Sequence, residues 1–443
     1  MKATSSSSST AAARSNSLSM LFDYQPRTRV LFGVNSIERV GELAKSVGAR
    51  KVLLVTDSGI VAAGHAGRVR ALLVTAGMQV TCFEQVQENP TTRCVERCVE
   101  VARESAIDTV VGLGGGSSMD TAKGCNFILT NGGQMKDYWG IGRATRPMLP
   151  LLAIPTTGGT GSECQSFALI TDEQTHQKMA CGDPKAAARI ALLDPALTIS
   201  QPARVTACSG IDALAHALET LVTNVRTPLS LIFSREAFRL TIGALPRVLA
   251  SPTDLEARGG MLLGAAWAGT AIENSMLGAA HAAANPLTAH FGVVHGQAVG
   301  MMLPHVVRLN AREPAAARAY AEVACAAQLA LPSEAPEAAT ERLAAHLESL
   351  LDLAHLSRTL DHCGIKSRDI SELAEEAARQ WTAKFNPRPV AASDFQALYT
   401  AALAPASRPT QEAQRAGAGT ASSPFVDEAK VGPPWTRPFP PLS

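Results

Sequence analysis

The sequence has almost no net charge. Its 40 lysines and arginines stand against 39 acidic residues, a formal +1 at pH 7. So even a balance leaves no electrostatic footprint for nucleic acid or an anionic membrane, and both partners are set aside. No apolar run reaches the length that spans a bilayer. The nine cysteines are scattered, with no CxxC pair and no framework of the small secreted type. Free thiols in a reducing compartment follow, and a cytoplasmic protein is expected. Residues 1–19 hold no acidic residue and no hydrophobic signal core. They read as a disordered leader rather than a secretory signal. Their Ser/Arg content keeps a mitochondrial transit peptide as the alternative.

What is present is ordinary for an enzyme-sized globular chain: 443 residues, 46% hydrophobic and 18% charged, for which two domains are the default. Short apolar runs alternate with helical stretches from about residue 28. Strands are expected at Arg29–Phe32, Lys51–Thr56, Gln79–Phe83 and Thr109–Gly112. Helices are expected at Ser36–Ser46, Val61–Ala76 and Thr92–Ser105, with another at Thr121–Asn126. That alternation means βαβ units and a parallel sheet. Strand-like runs stop after Leu193, and the pattern is helical from Pro202 to about Leu403. The expected division is a leader at 1–19, an α/β domain at 20–200, an all-α domain at 201–404 and a disordered tail at 405–443.

Two stretches of the helical half carry ligand-type side chains. Asp212 and His216 lie four apart in an Ala-rich run, on one helix face. His281 and His295 lie in a second apolar segment, which with His290 and His305 holds four of the ten histidines. An Asp/His pair at this spacing is also a common surface or buried ion pair. The histidine cluster favours a divalent metal site of one carboxylate and three imidazoles, for iron or zinc.

Three loops of the α/β half follow strands, where such sheets bind ligands. Gly114-Gly115-Gly116-Ser117-Ser118-Met119-Asp120 enters a helix and suits a phosphate, although it is neither GxGxxG nor a Walker loop. Asp57 ends an early strand, where it either accepts a ribose hydroxyl or caps a helix. In the third loop, Pro155 to Glu163, hydroxyls and glycines offer hydrogen bonds to a polar ligand, while Ser162 suits a helix cap equally well.

Together the motifs resemble the iron-containing (group III) alcohol dehydrogenase family. GGGSSMDTAK (114–123), PTTGGTGSE (155–163), DALAHALE (212–219) and HAAANPLTAHFGVVHGQAVGMMLPHV (281–306) stand in the family's order. Asn89-Pro90-Thr91 and Asn386-Pro387-Arg388-Pro389 add to them, and the resemblance covers about residues 25–403. It implies a Rossmann-like N-terminal domain, a helical C-terminal domain, and a homodimer or larger homo-oligomer. It implies that Asp212, His216, His281 and His295 bind the metal, with Fe2+ favoured and Zn2+ possible. It places Asn89, Gly114, Gly115, Gly116, Ser117, Ser118, Asp120, Thr156, Thr157 and Thr160 around a nicotinamide dinucleotide, with Asp57 favouring NAD over NADP. The implied reaction is reversible hydride transfer between that cofactor and a small alcohol, aldehyde or ketone.

One departure bears on catalysis: Asn285 stands where many members carry a proton-relaying histidine, and an amide does not titrate. His290 is a poor substitute, because it lies five residues on and Pro286 is expected to interrupt the helix between them. Rival readings are a dehydroquinate synthase-like or glycerol dehydrogenase-like enzyme, or a metal- and nucleotide-binding protein with impaired turnover. Residues 207–223 contain no lysine or arginine, which counts against the synthase and its acidic substrate. Met276, Leu277, Leu287 and Phe291 lend the pocket an apolar tone suited to a small alcohol or aldehyde.

Overall fold

The computed structural model describes residues 22–175 and 177–403; the leader at 1–19 and the tail from 405 lie outside the described residues. Strand β1 (Arg29–Phe32) is followed by α1 (Val40–Ser46), β2 (Lys51–Val55), α2 (Ser58–Ala62), α3 (His65–Thr75) and β3 (Gln79–Phe83). Then come α4 (Thr92–Glu104), β4 (Thr109–Gly114), α5 (Gly116–Asn131), β5 (Gly140–Ile141) and β6 (Leu151–Pro155). A hairpin of β7 (Phe167–Thr171) and β8 (Lys178–Gly182) precedes β9 (Ile190–Leu193), the last strand among the described residues.

Six strands form a parallel sheet in the order β1-β9-β6-β4-β2-β3. Successive residues of β2 serve opposite faces, and both faces are covered, as parallel sheets require. Val52 and Leu54 pack beneath Val40, Leu43, Val69 and Leu73. Leu53 and Val55 pack against Val95, Cys98, Val99 and Met119. The chain moves outward from β2 to β3, then resumes on the other side at β4. The loops after β2 and β4 therefore diverge and leave a crevice at the sheet's C-terminal edge, where such folds bind nucleotides.

Three local expectations need correction. The helix expected over 61–76 is two, α2 and α3, broken where Gly64 adopts a left-handed φ of +80°. The helix expected at 121–126 is the middle of α5, which starts inside the glycine run itself. A small sheet, β5-β8-β7, was not anticipated. Its strands are two to five residues long, too short for an alternating pattern to stand out.

The helical half runs α6 (Ala203–Val222), α7 (Pro228–Ala250), α8 (Leu255–Glu273), α9 (Ala279–Phe291), α10 (His295–Asn310), α11 (Pro314–Ala326), α12 (Pro336–Leu353), α13 (Ile370–Arg379) and α14 (Ala392–Leu403). Helix α6 is buried almost all round from Thr206 to Val222, which makes it a central helix rather than an amphipathic surface one. Its polar residues are thereby carried into the interior. The two halves meet directly: Cys164, Ala191 and Leu193 pack with Leu262 and Ala266 of α8.

At that junction the loop after β6 crosses α8 backbone to backbone. An alanine Cβ at Gly269 would stand 2.2 Å from the Gly161 carbonyl oxygen. Gly269→Ala is expected to cost about 2 kcal/mol or more, because neither partner is a flexible side chain. Gly243→Ala on α7, where a Cβ meets open space, is expected to be neutral or stabilising by up to ~1 kcal/mol. Urea unfolding midpoints of the two variants check both.

Candidate metal centre and nucleotide site

Helical periodicity stacks Asp212, His216 and Glu219 on one face of α6. His281 comes from the first turn of α9, and His295 is the first residue of α10. Nε2 of His216, His281 and His295 lies 3.5, 3.3 and 3.9 Å from Oδ1 of Asp212. Donor atoms of Asp212, His216 and His281 fall within 4.8 Å of one another, with His295 on the more open side. The His216 and His281 rings are stacked, with centroids 4.8 Å apart.

The chemistry of this donor set fits a divalent cation. Asp212 Oδ1 and His281 Nε2 are buried and have no hydrogen-bond partner, which costs on the order of 1–3 kcal/mol per group unless something binds there. Burial pushes His216 below the ordinary imidazole value and takes His295 down to about 3, so both are neutral ligands at pH 7. Burial alone would raise the Asp212 carboxyl, but the imidazoles around it, His216 foremost, hold it below the usual carboxylate range. Burial also pushes His281 down, yet Glu219 and Asp212 together outweigh it and take the ring up to about 9. Glu219 accepts from His281 Nδ1, which fixes the tautomer and turns Nε2 toward Asp212, the carboxylate–histidine arrangement common behind metal ligands. Its other oxygen accepts from the Ala280 backbone at 2.6 Å. Sequence reasoning gave Glu219 no role, although its position seven residues after Asp212 puts it two turns along the same face.

The nucleotide-side residues converge on the crevice between β2 and β4. Gly114 has a φ of +144°, and a Cβ there would collide with Ser118 Oγ at 2.4 Å and approach Asp57 Oδ2 at 3.2 Å. Asp57 does cap α2, accepting from the Ile60 amide at 3.0 Å, and its second oxygen accepts from Ser118 Oγ at 3.4 Å. The Asn89 amide donates to Ser117 Oγ at 3.3 Å, and its side chain accepts from Lys178 Nζ at 3.3 Å. The Thr156 amide donates to the Gly114 carbonyl. Thr157 and Thr160 stand against Gly115 and Gly116, where a Cβ would lie 3.4 and 2.8 Å from their side chains. On its other side the same loop rests on α6: a Cβ at Gly159 would meet Ser209 at 2.5 Å, three residues before Asp212. The 155–163 loop thus touches both the glycine turn and the helix of Asp212.

Beneath this loop lies Lys123, fully buried, donating to Ser162 O, Ser162 Oγ and Phe167 O at 2.7–2.9 Å. Ser162 Oγ donates on to Asp120 Oδ1 at 3.0 Å. Ser162 is therefore the middle of a buried polar chain as well as the start of a short turn. Next to it, Glu163 is buried with Oε1 unpaired, and burial raises its carboxyl to about 7.

The family model described as iron-containing alcohol dehydrogenase matches residues 26–195, and that of the Fe-containing alcohol dehydrogenase C-terminal region matches 206–403. The chain belongs to the iron-containing alcohol dehydrogenase family. Alcohol dehydrogenase 4 of Schizosaccharomyces pombe is 32% identical over 373 residues, covering 84% of this chain and 87% of that one. The NAD-dependent methanol dehydrogenase of Bacillus methanolicus is 33% identical, covering 84% and 97%. A crystal structure of 1,3-propanediol oxidoreductase superposes with a TM-score of 0.84 at 32% identity, covering 87% of this chain and all of that one. This iron-containing alcohol dehydrogenase is an oxidoreductase linked to a nicotinamide dinucleotide.

Asn285, expected to stand in place of a proton-relaying histidine, lies one turn beyond His281 on α9, half-buried, donating to Gln380 Oε1 at 3.1 Å. Pro286 does not interrupt the helix, contrary to expectation; α9 runs through it to Phe291. His290 nonetheless serves elsewhere, on the surface against Glu376 at 2.5 Å. Leu287, expected in the pocket, is fully buried in the helical core instead.

Two outcomes follow from this geometry. Glu219→Gln is expected to weaken divalent-metal affinity by about 10- to 100-fold, read by chelator competition on intact protein. Glu163 has a folded pKa raised above its unfolded value, so its contribution is lost as pH rises from about 4.5 toward 7. Glu163→Gln is therefore expected to be roughly neutral at pH 4.5 and more stable than the parent, by about 2 kcal/mol, at pH 8. Denaturant midpoints at the two pH values check it.

Proposed function

We propose that the protein catalyses reversible hydride transfer between NAD and the carbinol carbon of a small uncharged alcohol, with Fe2+ held by Asp212, His216, His281 and His295. The observation that carries this reading is the convergence of four donor residues, each with a buried unpaired side-chain atom, beside a glycine turn of the phosphate-binding kind. A divalent ion held there supplies Lewis acidity toward an alcohol or carbonyl oxygen, and NAD supplies the hydride acceptor. Zn2+ suits the same donor set, with iron favoured by the family.

The residues divide the remaining work. The end of β4 and the first turn of α5 present Gly114, Gly115, Gly116, Ser117 and Ser118 to the pyrophosphate, with the positive end of a 16-residue helix behind them. Asn89, Thr156, Thr157 and Thr160 flank that turn, and Asp120, one turn into α5, would lie near the cofactor. Asp57 repels a 2′-phosphate and accepts from a 2′-hydroxyl, which selects NAD over NADP. Asn285 orients the substrate without exchanging a proton. The α/β segment 20–200 thus serves the nucleotide, and the helical segment 201–404 the metal and substrate. No described helix is long and apolar enough to cross a membrane. The nine free cysteines fit a cytoplasmic enzyme in a reducing compartment; a homo-oligomer is inferred from the family resemblance alone. A synthase acting on an acidic substrate is disfavoured by an α6 that carries no cation from Ala207 onward.

Protein purified without oxygen, its metals read by mass spectrometry, tests the reading. Stoichiometric iron, NADH-dependent reduction of small aldehydes and loss of activity on chelation are expected. Asp57→Gly, which keeps an acceptable cap, is expected to improve NADPH use relative to NADH about tenfold, the worth of ~1.4 kcal/mol of relieved repulsion. Absence of stoichiometric metal would sink both the donor set and the mechanism.

A further inference from the structure

Two consecutive residues bridge the metal-bearing and nucleotide-bearing halves on the side of Asn285. Gln380 caps α13 and accepts from the Asn285 amide at 3.1 Å. Trp381 follows and stacks on Phe167 of β7, with centroids 6.1 Å apart and planes 29° from parallel. Neither ring is free to wander. Phe167 is seated on Gly182, where a Cβ would stand 2.4 Å from the ring, and its carbonyl accepts from buried Lys123. Trp381 meets Phe385 edge-on at 5.9 Å. Both rings are only half-buried, so each keeps apolar surface open. From Asn285, one turn after His281, the contacts run through Gln380, Trp381 and Phe167 to Lys123 of α5, and so link the helix that bears His281 to the helix that follows the glycine turn.

We propose that Trp381 sets the chain-length specificity of this enzyme and that Gln380 positions the Asn285 amide that holds its substrate. Trp381 is the wall that the carbon chain meets beyond the carbinol. Gln380 is a positioning residue that ties down one edge of the Asn285 amide and leaves the other edge to hold the substrate. The wall is apolar and the amide pair neutral, so the class accepted is short, uncharged primary alcohols and their aldehydes. This rests on the dehydrogenase reading above. A methylene admitted to or refused by an apolar pocket changes kcat/KM by about 10- to 200-fold, enough for one indole to decide chain length.

The test uses the metal- and NAD-loaded enzyme with primary alcohols from ethanol to hexanol. It compares the parent with Trp381→Ala and Gln380→Leu. Two readouts are taken: kcat/KM against chain length, and binding of the same alcohols beside NADH, read by its fluorescence. Trp381→Ala is expected to raise hexanol relative to ethanol by about tenfold in both readouts. Gln380→Leu is expected to lower kcat/KM about tenfold for every alcohol while leaving the chain-length order intact. A merely structural role would lower the melting temperature and all rates together, with no change of order. Unchanged order in Trp381→Ala, or parental kcat/KM in Gln380→Leu, overturns the proposal while leaving the dehydrogenase reading standing. Chain-length-dependent binding that shifts in Trp381→Ala, with no turnover by the parent, leaves the wall standing and overturns the dehydrogenase reading. Failure of the parent to bind any of the alcohols overturns both.

Discussion

The close approach of the 155–162 loop to its neighbours fixes the distance between the two halves of the site. Gly159 lies against Ser209 of α6, Gly161 against Gly269 of α8, and Thr157 and Thr160 against Gly115 and Gly116. At each crossing a missing side chain lets backbone touch backbone or threonine. Close-packed interiors transmit such constraints rather than absorb them. The phosphate-type turn and the Asp212 helix therefore hold one spacing, which hydride transfer between two separately bound partners requires.

The donor set is built on the same principle of enforced proximity. Asp212 sits on a helix buried nearly all round, and three imidazoles from three helices point at one of its oxygens. Without Glu219 behind His281, nothing would fix the orientation of the ring. With it, Nε2 faces inward. The site is thus expensive to build in the metal-free protein, and the strain is concentrated in a few unpaired atoms rather than spread through the fold.

Much of this was legible in the sequence for physical reasons. KVLLV and TVVGLG are buried on both faces, so their apolar runs are uninterrupted and their strands easily found. Asp212 and His216 were found because helical periodicity is local. Asp57 left two readings open, and its two oxygens take separate partners, one a helix amide and one Ser118. What escaped was non-local. Gln380 stands 95 residues from Asn285 and has no pattern to mark it. Lys123 lay inside a quoted motif, but its burial depends on carbonyls some 40 residues away. Pro286 was read as a break because proline removes one hydrogen bond, whereas packing of α9 in the helical core carries the helix through it.

The strand order has a consequence for how the molecule is made. β1 emerges first from the ribosome, yet its neighbour in the sheet is β9, which is synthesised about 160 residues later. The 155–162 loop also leaves the ribosome before α6 and α8, the helices that support it. The α/β half can collapse early, but its edge strand and the 155–162 loop wait for later chain. Biosynthesis thus completes the candidate site last, from its helical side.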